Sequence, residues 1–241
     1  MALKWINLLL FVLMVFLNYL ANALPLNGKT TGELSAEYPN LFVPAGVTFS
    51  IWGVIYLLLL VFVIVQFRES NRDILEAVGW AFAISCLFNA AWIVAWHYQH
   101  IPASLLVMLG LLISLVYIGE KIQDLPAGFF KLVFGLYLGW ICVATIANVT
   151  AALVYYNWGG WGISESVWAM VMIGAGFAII AISSIKLQNP FAGLAVAWAY
   201  AGIALNRHND HLSIAVVAIA GTTVILTLSI FLFFKYTSFR L

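Results

Sequence analysis

Asn89 and Trp92 stand three residues apart, and Trp140, Ala144 and Asn148 recur every four. At helical pitch each set falls on one face, as do Trp52 and Tyr56. An indole or phenol offers a flat apolar surface with one polar handle, and an amide offers donors and an acceptor. Such faces suit a cavity for a flat, hydrophobic ligand. The same amides read equally as hydrogen-bonding glue between helices, because an amide alone in an apolar medium is costly.

The four histidines form two pairs at a spacing of three, His97 with His100 and His208 with His211. Imidazole ligates zinc and haem iron, so these four, with Asp210, are the metal candidates. Nothing in the spacing brings the two loops together, and histidine is common at wet membrane interfaces. The expectation is therefore no metal. Cys86 and Cys142 sit in the middle of different apolar runs, where they read as small buried residues rather than a disulfide or redox pair. No catalytic residue is nominated. The chain carries no P-loop, no G-x-S-x-G and no H-E-x-x-H pattern.

The elements that must position these side chains follow from composition. Of 241 residues, 65% are hydrophobic and 8% charged. The charges fall in short gaps between apolar runs long enough to cross about 30 Å of hydrocarbon as helix. Reading the gaps predicts eight spans at 5–24, 43–67, 77–97, 102–118, 132–156, 167–185, 191–206 and 212–234, the fourth and seventh being short. Trp52, Asn89 and Asn148 each fall about 12–14 Å below the outer ends of their spans. No acidic or basic residue lies near the middle of any run, unlike the proton-coupled transporters, ion pumps and voltage sensors that use intramembrane charge. Lys4, Arg68, Arg72, Lys121, Lys131, Lys186, Lys235 and Arg240 fall on the side of the N-terminus, and only Lys29 and Arg207 on the other. That bias predicts a multi-pass protein with both termini cytoplasmic. The first run, with Ala21-Asn22-Ala23 behind it, also resembles a cleavable signal; it is read as a retained helix. Trp5, Trp158, Trp161 and Trp168 stand at span ends, where an indole anchors to the interface. No basic stripe suggests nucleic acid.

Three stretches carry a family resemblance. Pro44-Ala45 with Ser50-Ile51-Trp52-Gly53-Val54-Ile55-Tyr56, then Phe88-Asn89-Ala90-Ala91-Trp92, then residues 136–148 with Trp140 and Asn148, occur in order. Here the chain resembles the tryptophan-rich sensory protein / translocator protein (peripheral benzodiazepine receptor) family over about residues 1–157. The resemblance implies a five-helix bundle with a pocket beneath the loop after the first helix, taking porphyrins, haem-like tetrapyrroles, sterols or synthetic aromatic ligands. It places Trp52, Tyr56, Asn89, Trp92, Trp140, Ala144 and Asn148 at that pocket. The chain departs from the family at Gly46-Val47-Thr48, where aromatics are usual, and at Val143, where Phe is usual. The loop 26–41 contains no Trp.

The expected fold is all-α: a polytopic membrane bundle with a five-helix translocator-protein-like domain (1–157) and a three-helix transmembrane extension (158–241). Small residues at Gly135 and Gly139, and at Gly193, Ala197 and Ala201, permit close helix packing. The extension leaves either a monomer or a homodimer with a different interface. The expected function is a receptor, sensor or carrier for a hydrophobic aromatic ligand such as a porphyrin or sterol, with porphyrin or haem as ligand and no assigned cofactor. An enzyme degrading or oxidising a tetrapyrrole is the first alternative. A membrane scaffold subunit without a small ligand is the second.

Overall fold

In the computed structural model the described residues are 2–24 and 26–237. They form long helices and no strand. The helices are α1 (Ala2–Ala23), α2 (Thr31–Ala36), α3 (Ile51–Val65), α4 (Arg72–His97), α5 (Ile101–Lys121), α6 (Phe129–Tyr155), α7 (Glu165–Lys186), α8 (Ala192–Arg207) and α9 (Leu212–Tyr236). All eight expected spans are helical, and a short helix, α2, lies in the loop after the first. Seven of them are long and apolar enough to cross a membrane. The chain is a multi-pass helical membrane protein.

The exception is α8, whose 16 residues give about 24 Å of rise. It still runs from one end of the bundle to the other. At its start Asn189 donates to Lys131 O (2.9 Å), and at its end Arg207 donates to Leu41 O (3.2 Å) and Asn40 O (3.1 Å). Most of α8 packs against α6, α7 and α9, and Trp198, Ala201 and Leu205 leave one stripe of it exposed. Its composition permits that burial: a Cβ on Gly139 of α6 would overlap Ala192 O, so α8 seats only against a glycine there.

The central element is α6. Seventy-two per cent of its most apolar stretch is buried, against 22% for α9. Around it α1 packs on α4, α4 on α5 and α5 on α6, while α8 joins α6 to α9. Lys4 lies 3.7 Å from Glu69, and the side chain of Gln66 donates to Lys4 O (3.2 Å). Phe62 of α3 meets Phe134 of α6 at 5.0 Å, and the Lys131 ammonium stands 5.6 Å from the Tyr236 ring. These contacts put the start of α1 and the end of α9 at the same end of the bundle.

Two buried polar bonds tie α1 to its neighbours, and a third carries one of them on from α4 to α6. Asn7 donates to Gln66 Oε1 (3.0 Å). Asn18 donates to Asn89 Oδ1 (2.8 Å), and Asn89 donates to the Tyr137 hydroxyl (2.9 Å). The first helix is thereby fastened to the end of α3 and to α4, and through Asn89 to α6.

Candidate functional site

At the end of the bundle opposite the start of α1 and the end of α9, a cavity of about 810 Å³ lies between α1, α3, α4 and the lid formed by α2. A smaller one of about 70 Å³ adjoins it toward α6, and the two share Thr31, Ser35, Val43, Pro44, Phe49, Trp52 and Trp92 as walls. Trp52 and Tyr56 stack on one face of α3 (ring centroids 5.2 Å, 18°). Trp140 of α6 meets Trp52 edge-on at 6.1 Å and Phe49 at 5.9 Å. Trp92 and Trp96 lie near-parallel on α4 at 6.3 Å. Thr30, Thr31 and Ser35 line it from the lid and Asn18 and Asn22 from α1, so the walls combine aromatic rings with amides and hydroxyls.

Six of the seven expected residues border this space: Trp52, Tyr56, Trp92, Trp140, Ala144 and Asn148. Asn89 does not. It is wholly buried between Asn18 and Tyr137, so its amide joins three helices. Asn148 combines both roles. Its Oδ1 accepts from Trp92 Nε1 (3.2 Å) and Ser104 Oγ (3.3 Å), its Nδ2 donates to Ala144 O (2.9 Å), and it lines the smaller cavity.

Spacing alone missed Phe49, Trp96 and Tyr38. Tyr38 comes from the Trp-free loop and packs on Trp96 at 5.8 Å. These rings supply the aromatic surface absent at Gly46-Val47-Thr48. Trp96 sits four residues after Trp92, and that interval was the available signal. Among the described residues, the Tyr56 hydroxyl and the indole nitrogens of Trp96 and Trp140 are buried without a hydrogen-bond partner. Each such donor in an apolar interior costs about 1–3 kcal/mol.

The histidines are not gathered, and among the described residues no group of His, Cys, Asp and Glu could hold a metal ion. His97 is buried; its Nδ1 lies 2.8 Å from Ile93 O and its Nε2 3.4 Å from Thr31 Oγ1 of the lid. His100 is exposed, His208 Nδ1 lies 2.8 Å from Leu205 O, and His211 Nδ1 lies 3.3 Å from Ser166 Oγ.

The lid is held from below by α4. Asn27 donates to His97 O (3.1 Å) and Gln99 to Glu37 Oε2 (2.7 Å), while Lys29 pairs with Glu37. Its first turn closes on a capping box: Thr30 N donates to Glu33 Oε2 (2.7 Å), and Glu33 N donates to Thr30 Oγ1 (3.3 Å). The Thr30 backbone N–H, then its hydroxyl, hold the Glu33 carboxyl below its ordinary value.

The loop leading into α3 is fixed from the side by α8. Ala45 N donates to Gly202 O (3.0 Å), Trp198 Nε1 to Thr48 O (2.8 Å) and Asn206 Nδ2 to Val43 O (3.0 Å). A Cβ on Gly202 would overlap Thr48. The C-terminal helices therefore help build the cavity wall.

A family model described as TSPO-like protein matches residues 4–231. The chain belongs to the TSPO-like family. The match runs past residue 157 and through α7 and α8 into α9, so the helices that brace the wall of this TSPO-like bundle lie inside the matched region. Neither a curated protein nor a solved structure matches the chain.

Proposed function

We propose that this TSPO-like membrane protein is a receptor, sensor or carrier that binds a flat hydrophobic ligand, a tetrapyrrole above all, in the cavity beneath α2. One observation carries the reading: two adjoining cavities walled by Trp52, Tyr56, Trp92 and Trp140 and bordered by three buried donors that lack partners. A volume of about 810 Å³ falls within the range of about 300–1,000 Å³ usual for small-molecule sites. The rings would take the ligand's faces, and the amides and hydroxyls under the lid its polar edge. The exposed residues Tyr19 and Asn22 stand at the rim between α1 and α3, a route for an apolar ligand arriving from the outer leaflet. Residues 1–157 form the binding domain, 158–241 brace it, and the ends of the chain face the cytoplasm.

Titration with protoporphyrin, followed by visible absorbance and tryptophan quenching, tests the assignment. Saturable binding that weakens more than tenfold in Trp52→Ala supports it. Wild-type affinity in Trp52→Ala, with normal folding, removes this cavity from the function.

A further inference from the structure

A second cavity, of about 420 Å³, opens at the same end of the bundle between α6, α7 and residues 39–42. Phe42, almost wholly buried, stands at the wall it presents to the interior. Its outer wall is made by Trp158 and Trp168, whose rings meet at 5.0 Å, and Trp168 is tied down by its indole N–H to Gly160 O (2.9 Å). Trp161 packs on both, at 5.3 and 5.9 Å. Glu165 is the one charged side chain of the lining, and no cation among the described residues pairs with it. Arg207 is bonded to Asn40 O and Leu41 O and paired with Asp210 at 3.2 Å, and His211 Nδ1 lies 3.3 Å from Ser166 Oγ, beside Glu165 in the chain. Deeper in, the lining turns apolar with Leu153, Ala169 and Met172.

We propose that this cavity binds the quaternary ammonium head of an amphiphile. The Trp158 and Trp168 faces and the Glu165 carboxylate receive the cation, and the apolar tail follows the α6–α7 wall. Indole faces attract such cations through the ring quadrupole, and the attraction grows where water is displaced. A carboxylate beside them selects a cation over an anion of the same shape. The site is separate from the cavity beneath α2 and does not depend on the reading given to it.

The test uses the full chain in maltoside micelles, titrated at equal mole fractions with hexadecyltrimethylammonium, hexadecylphosphocholine and hexadecyl sulfate. Tryptophan emission and melting temperature are followed. Saturable binding of the two ammonium compounds and not of the sulfate is expected. Glu165→Gln and Trp158→Leu should each weaken it at least fivefold, and Glu165→Asp should retain it. Equal affinity for the two ammonium compounds assigns recognition to the ammonium alone, and preference for the phosphocholine assigns it to a lipid headgroup. Binding of the sulfate as tight as that of the ammonium, or wild-type affinity in Glu165→Gln, overturns the proposal.

Discussion

Trp140 and Asn148 stand two turns apart on α6, yet their surroundings assign them different work. The Trp140 indole nitrogen has no partner among the described residues, so Trp140→Phe removes an unpaired donor and keeps a stacking face. Tetrapyrrole affinity in Trp140→Phe should fall less than tenfold, and the melting temperature without ligand should hold or rise. Trp140→Ala deletes the ring against Trp52 and Phe49, and titration should show a loss well above tenfold. Asn148 accepts from Trp92 and Ser104. Asn148→Ala should lower stability by about 1 kcal/mol or somewhat more, since the Trp92 donor is left buried. Asn89→Ala breaks a link across three helices without touching the cavity wall. It should lower the melting temperature and leave protoporphyrin affinity unchanged, and a change in affinity would return Asn89 to the site.

At the scale of elements, α2 is a six-residue helix, too short to persist alone, and it holds its place through its capping box and its contacts to the end of α4. The Glu33 pKa is depressed from 4.5, so its contribution is complete above that value. It is lost as pH falls through the lower folded-state pKa. Exchange protection over residues 30–37, taken relative to the intrinsic rate at each pH, should therefore fall on acidification below about 4.5, and in Glu33→Ala it should already be low at neutral pH with little further change. An acid response of the same size in both forms would assign it to other groups.

Across the whole molecule, α8 couples the C-terminal helices to the cavity. Arg207 holds the carbonyls of Asn40 and Leu41. Hydrogen bonds from a charged donor contribute about 1.5–3 kcal/mol each. Arg207→Gln should speed exchange in residues 39–48 and weaken tetrapyrrole binding several-fold, although the side chain is no part of that cavity. Unaltered exchange there would show that Trp198 and Asn206 suffice. Because α1 begins and α9 ends at one end of the bundle, tags at the two termini should report the same side in a protease-accessibility assay.

The membrane spans were legible in the sequence because hydrocarbon imposes a length and forbids charge, and every apolar run became a helix. Spacing also showed that Trp52 shares a face with Tyr56, and Trp140 with Asn148. It could not show what each face meets, since helical periodicity orients a residue on its own helix and says nothing about the neighbour. Only tertiary packing turned Asn89 toward Asn18 and Tyr137, set His97 between Ile93 and the lid, and brought Tyr38 onto Trp96. It also made α8 reach across the bundle in 16 residues, because the contacts at its two ends, Asn189 to Lys131 and Arg207 to Asn40 and Leu41, are made by partners distant in the chain.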